Sequence, residues 1–148
     1  MRIHIRKIEK NDRNEWLRMR YALWPSHSKK VHHDEVVEII KHPQENIVFV
    51  AETSDHKLVG FLEVSLREYA PGCHHQPVGY LEGWYVRSSF RNQGIGKKLV
   101  QEAEKWTRQK GCKEIASDTP VKNIKSTRAH KALGFKKEDA LVHFWKKL

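Results

Sequence analysis

The stretch RNQGIGKKLVQEAEKW, residues 91–106, directly follows a strand-like run, VGYLEGWYV, through the short link RSSF. This strand, glycine turn and helix junction constrains the fold more than anything else in the chain. Backbone N–H groups at a helix start have no partner within the helix, and the helix dipole adds positive potential there. Glycines let such a backbone curl around a phosphate, and Arg91, Lys97 and Lys98 add charge. The segment is suited to a pyrophosphate. It is not a Walker loop, because the lysine-serine/threonine ending is absent, and it lacks the dinucleotide G-x-G-x-x-G spacing. On these residues alone, an ordinary glycine turn before a surface helix fits as well.

The remaining pattern is that of one α/β domain with a hairpin-rich first half. Residues 2–8 alternate apolar and polar as a strand does. Asn11 or Asp12 can cap a helix whose Trp16, Met19 and Leu23 share a face, and Pro25 ends it. A second short helix is predicted over 32–42, then strands at 47–52 and 58–69 joined by the turn SDHK. APGCHHQP is a loop, and 78–86 a fourth strand in which Gly83 marks a bulge or a close backbone approach. In the helix after Gly94, Ile95, Leu99, Ala103 and Trp106 form one stripe, which makes Trp106 a core residue. A strand at 113–118, a helix over 123–133 and a closing strand LVHFWKK complete the chain.

The 148 residues suffice for one domain with a genuine core, spanning 1–148. The longest apolar run, residues 47–51, is far too short for a bilayer, and the amino terminus shows no secretory signal. Cys73 and Cys112 have no zinc or redox spacing, so a reduced, cytoplasmic protein is expected, without metal. The pairs His32–His33 and His74–His75 read as surface or loop histidines, since adjacent residues rarely converge on one ion. The formal charge is +10, but the basic residues are scattered and form no nucleic-acid-binding arm.

Two motifs carry a resemblance. R-N-Q-G-I-G, after the fourth strand, resembles the (Q/R)-x-x-G-x-(G/A) acyl-CoA signature of the GNAT N-acetyltransferase superfamily. Asn123, Ser126, His130, Leu133, Gly134 and Phe135 match that family's N-x-x-S-x-x-x-H-x-x-L-G-F segment. The element order also fits over nearly the whole chain. The segments LWPSH at 23–27, YLEGWYV around Glu82, SFRNQGIG and ASDT at 116–119 further resemble the chromosomal branch of aminoglycoside 6′-N-acetyltransferases.

The resemblance implies an α/β (α+β) GNAT fold, with a mixed, mostly antiparallel sheet splayed between its fourth and fifth strands. It implies acetyl-CoA as co-substrate, an aminoglycoside as acceptor, a homodimer, and neither nucleic acid nor membrane as partner. Trp84, Tyr85 and Val86 would bond the pantetheine and acetyl carbonyl through their backbone. Arg91, Asn92, Gln93, Gly94, Ile95, Gly96 and Lys97 would surround the pyrophosphate, and Asn123 and Ser126 would meet the pantetheine arm. Trp24, His27, Tyr69, Glu82, Asp118 and Asp139 would contact the aminoglycoside, a polycation that calls for carboxylates and an aromatic wall.

Glu82 and Asp118 are the catalytic candidates. An acid within an apolar strand is costly without a task, so Glu82 is read as the base; its alternative is an ion pair with a neighbouring lysine. The alternatives elsewhere are a loop cap for Asp118, a core position for Trp24, an exposed loop for His27 and a surface charge for Asp139. His130 stands where many superfamily members place a tyrosine acid, and a structural role fits it as well. A chain of charge +10 repels a polycation at long range. The cleft must therefore be locally acidic, from Glu82 and Asp118 with Glu63, Glu68 and Asp139.

Overall fold

The computed structural model describes residues 2–148. In order these form β1 (Ile3–Lys7), a single 3-10 turn, α1 (Arg13–Leu23), α2 (Lys29–Lys41), β2 (Asn46–Thr53), β3 (Leu58–Arg67), β4 (Val78–Val86), a second 3-10 turn, α3 (Ile95–Gln109), β5 (Ile115–Ser117) and α4 (Ile124–Ala132). The chain falls into two compact units, the first ending at Ser117 and the second running from Asp118 to Leu148.

The first unit holds the sheet, in the order β1-β2-β3-β4-β5. Neighbours are antiparallel as far as β4, and β5 is parallel to β4. That parallel pairing covers only Gly79 to Leu81 against Ile115 to Ser117. β4 runs on to Val86 while β5 stops, which is the expected splay. Apolar periodicity accounts for the core. Trp16 and Met19 of α1 and Val36 of α2 pack with Val48, Val50, Leu58 and Phe61 of the sheet. The α3 stripe Ile95, Leu99, Ala103 and Trp106 is buried as its spacing predicts. α1 stops one residue short of Trp24-Pro25, since proline disfavours helical geometry in the residue before it. α2 starts earlier than its apolar pattern suggests, because the Ser28 hydroxyl accepts the Val31 N–H at 3.2 Å and caps it.

β4 carries an irregularity that matters below. Val64 pairs with Leu81 and Glu63 with Gly83, which leaves Glu82 as the extra residue of a β-bulge. No helix among the described residues is long and apolar enough to cross a membrane.

In the second unit, the Asn123 side chain caps α4 by accepting the Ser126 N–H at 3.0 Å. Beyond the helix, Gly134 takes φ +91°, and residues 135–148 form neither helix nor strand. The closing strand expected at LVHFWKK is therefore absent. A strand needs a ladder of backbone partners, and none pairs with this segment among the described residues. Its apolar side chains stay uncovered: Phe144 is 90% exposed and Trp145 88%.

Candidate functional site

The first unit contains a cleft of about 550 Å³ between the α1–α2 segment and the sheet. Trp24, His27 and Glu82, expected from the sequence, line it together. So do Asp34, Glu35 and Glu38 of α2, none of which the sequence reading singled out. With Glu63 that makes five carboxylates against a single lining arginine, Arg20, in a chain of net charge +10. Each of these carboxylates also has a cation beside it (Lys30 on Asp34, Lys41 on Glu38, Arg67 on Glu82, Arg20 on Glu35 and Glu63), so the cleft keeps a small acidic surplus within a basic chain.

The bulge turns Glu82 into this cleft, and its neighbours then fix it. Ser65 Oγ donates to Oε2 at 2.5 Å, and Arg67 donates through Nε to Oε2 at 2.9 Å and through Nη2 to Oε1 at 2.6 Å. The Arg67 guanidinium carbon lies 3.5 Å from the Tyr80 ring centroid. The ion pair anticipated as the bland alternative is present, with an arginine rather than a lysine. A carboxylate has about four lone-pair sites, so three donors leave it room to accept one more.

Glu63 corrects an expectation. It is 2% exposed, and its oxygens take the Trp16 indole N–H at 2.8 Å and Arg20 Nε at 2.7 Å. It is the counter-ion of a buried arginine rather than a free acid for substrate. Glu68 is not among the cleft-lining residues. His32, expected on the surface, is 1% exposed. Its spacing with Val36 and Ile39 (i, i+4, i+7) was the signal for burial.

Trp24 forms one wall. Its ring stacks near His27 at 6.5 Å and meets Phe61 edge-on at 6.5 Å. The other edge reaches the sheet at Gly83, where a Cβ would lie 2.5 Å from Trp24 Cη2. Gly83 therefore marks a close approach as well as the bulge. Gly83→Ala is expected to push the indole out of place, costing roughly 1–3 kcal/mol of stability and raising the acceptor KM; thermal unfolding and steady-state kinetics check both. Tyr69, two residues beyond β3, is 67% exposed and does not line the cleft.

The start of α3 forms a second feature of this unit. Gly94 is its N-cap with φ +80°, and no side chain caps the helix. A Cβ at Gly94 would meet nothing within 4 Å, so the mouth of the turn is open. Asn92 also takes positive φ, at 63°, while Ile95 is buried and anchors the turn. Gly96 lies against the Trp84 indole, and Gln93 and Lys97 are exposed. Arg91 Nε donates to the Val86 carbonyl at 2.7 Å, tying the turn to the end of β4. Trp84, Tyr85 and Val86 pair with β3 at Leu62, Phe61 and Gly60, beyond the reach of β5. Uncapped N–H groups around open glycine backbone are what a pyrophosphate needs, so the donors present fit acyl-CoA.

The second unit holds the remaining candidates. Asp118 is exposed just after β5, and Asp139 is exposed in the irregular segment. Besides Asn123 as cap, Ser126 Oγ lies 3.3 Å from His130 Nδ1, which also contacts the Ser126 carbonyl at 2.7 Å. That contact makes Nδ1–H the donor to its own helix. The ring meets Phe135 edge-on at 5.3 Å. These bonds give His130 a structural task.

The acetyltransferase (GNAT) family pattern matches residues 13–135. The chain belongs to that family. An aminoglycoside N(6′)-acetyltransferase type 1 of Klebsiella aerogenes is 44% identical over 133 residues, covering 88% of each chain. The solved structure of AAC(6′)-Iy with a bisubstrate analogue, CoA-S-monomethyl-acetylneamine, superposes with a TM-score of 0.93 at 34% identity over 100% of both chains. AAC(6′)-Ih from Acinetobacter baumannii superposes at 0.91, with 34% identity over 99% of both. The five-stranded sheet with its parallel β4–β5 edge is the GNAT fold anticipated from the two motifs.

Proposed function

We propose that this GNAT chain transfers the acetyl group of acetyl-CoA to the 6′-amino group of aminoglycosides and so confers resistance to them. The observation that carries the reading is the bulge at Glu82. It places a carboxylate in an acidic, tryptophan-walled cleft, two residues before the β4 edge assigned to the acyl donor. A polycationic sugar suits such a cleft, and the similar proteins named above act on the same acceptor class. The family match runs through both compact units, which supports one catalytic domain over 1–148.

Acetyl-CoA supplies an activated thioester. Gly94 and Gly96, with the backbone of Asn92, Gln93, Ile95 and Lys97 and the side chain of Arg91, hold its pyrophosphate. Trp84, Tyr85 and Val86 hold the pantetheine through their backbone, and Asn123 and Ser126 bind the pantetheine arm. The acceptor ammonium loses a proton to Glu82, through water, and Asp118 shares or orients that transfer. The neutral amine nitrogen then forms a bond to the acetyl carbon. A backbone N–H near Val86 meets the oxyanion, the carbon–sulfur bond breaks, and the proton shed by the newly acylated nitrogen goes to the thiolate, giving the neutral amide and CoA-SH. Trp24 supplies apolar surface for the sugar rings, Tyr69 adds to it only from outside the cleft lining, and His27 and Asp139 supply polar contacts. The donor, acetyl-CoA, is a metabolite of the cytoplasm, and the enzyme works there. The uncovered side chains of Phe144 and Trp145 support a homodimer in which the carboxy-terminal segment is covered by the partner.

The test is CoA release from acetyl-CoA with kanamycin or tobramycin, beside kanamycin analogues bearing a 6′-hydroxyl, spermidine and a basic peptide. Turnover that requires the 6′-amine is expected. Turnover confined to spermidine or peptide would keep the acetyl-CoA site and overturn the aminoglycoside assignment.

A further inference from the structure

Arg20 of α1 is 2% exposed, and every one of its five N–H groups meets an acceptor. Nε donates to Glu63 Oε2 at 2.7 Å; Nη2 donates to Glu63 Oε1 at 3.1 Å and to Glu35 Oε2 at 2.7 Å. Nη1 donates to His32 Nδ1 at 3.1 Å and to the His32 carbonyl at 3.4 Å. An arginine keeps its protons in a protein, so His32 Nδ1 must be the acceptor of that bond. The proton of the neutral ring then sits on Nε2, which lies 3.0 Å from the Trp24 carbonyl. Glu63 thus orients Arg20, Arg20 selects the tautomer of His32, and His32 donates to the backbone of Trp24.

That carbonyl is where the chain leaves α1. Trp24 has non-helical φ and ψ, and its carbonyl also accepts the His27 N–H at 3.2 Å. A single oxygen therefore organises the turn that carries both Trp24 and His27, the aromatic residues of the cleft. The hub grips the Trp24 ring as well, with Arg20 Cζ 4.9 Å from its centroid and the His32 ring nearly parallel at 6.2 Å and 19°. His32 itself does not line the cleft. A leucine would fill the same space without burying two ring nitrogens, whose desolvation is unfavourable. What the imidazole adds is a directed donor.

We propose that His32 is a positioning residue for acceptor binding: its Nε2–H fixes the 24–27 turn so that Trp24 and His27 face the cleft. The inference rests on Trp24 being a wall for the substrate, and the experiment separates the two. Glutamine at position 32 can still reach the Trp24 carbonyl with a side-chain N–H. Asparagine can accept from Arg20 but is too short to reach Trp24, and leucine does neither.

KM for kanamycin and for acetyl-CoA, kcat and thermal unfolding would be measured for His32→Gln, His32→Asn, His32→Leu, Trp24→Ala and Trp24→Ala/His32→Leu. His32→Leu and His32→Asn are expected to raise the kanamycin KM about 10-fold, the equivalent of one directed hydrogen bond. The acetyl-CoA KM should stay unchanged, and His32→Gln should recover most of the loss. The double variant should lose clearly less than the sum of the two single losses, because both changes act on one element while His27 still depends on His32. An unchanged kanamycin KM in Trp24→Ala would overturn the wall itself, and the inference with it. A raised KM in Trp24→Ala beside unchanged values in His32→Leu, or full additivity in the double variant, would overturn the inference and leave the wall standing. If His32→Leu fails to fold, the Asn and Gln variants decide: equal KM values for the two would reject positioning by His32.

Discussion

In Glu82→Gln, kcat for aminoglycoside acetylation is expected to fall by about 10²–10⁴-fold, the usual contribution of a positioned general base. Glutamine preserves the side-chain shape but cannot take a proton from an ammonium ion. The bulge sets the position, since Glu82 is the residue left without a partner between Leu81 and Gly83. Ser65 and Arg67 then hold the carboxylate in one orientation. In the glutamine variant the amide oxygen can still accept from Ser65 or Arg67, so the fold and the α3 turn should be unaffected. CoA release at saturating acetyl-CoA, with CoA binding by calorimetry as the control, separates chemistry from folding. A variant that binds CoA normally and turns over at the wild-type rate would remove Glu82 from the proton path. Asp118 would then be the next carboxylate to replace.

The elements with strong periodicity were legible in the sequence. The buried stripe of α3 follows its 3.6-residue repeat, and β4 runs over the expected residues 78–86, a largely apolar run that begins directly after Pro77. Most misreadings fell where a side chain's task depends on a distant partner. LVHFWKK has the composition of a strand, but composition does not supply the neighbouring backbone that makes one. His32 beside His33 has the look of a surface pair, and only its own helical spacing with Val36 and Ile39 is informative. Arg20 and Glu63 each interrupt an apolar pattern, one beside Trp16 and Met19, the other within FLEVSL. Two such interruptions of opposite sign point to a buried pair, and the pairing removes Glu63 from the list of free acids. The α2 carboxylates Asp34, Glu35 and Glu38 look like an ordinary solvated face until the cleft is seen beneath them.

The second large effect is on stability and tests the same buried pair. Arg20→Met is expected to destabilise the protein by about 3–5 kcal/mol, because it strands the Glu63 carboxylate in a site that is closed to water. At this chain length the midpoint of thermal unfolding should fall by roughly 10 °C. Glu35 adds little to that loss, since its side chain is 44% exposed and can turn to solvent. The compensating change is Glu63→Gln, which removes the stranded charge yet still accepts the Trp16 indole N–H. Arg20→Met/Glu63→Gln should therefore regain most of the lost stability, as neutral replacements of buried ion pairs commonly do. Activity should not return with it: His32 no longer has an arginine to select its tautomer, so the 24–27 turn loses its fixed donor and the acceptor KM stays high. Circular dichroism melts of the two single variants and the double, followed by kinetics on the double, check both halves. A double variant that regains stability and acceptor affinity together would make the Arg20–Glu63 pair a matter of folding alone.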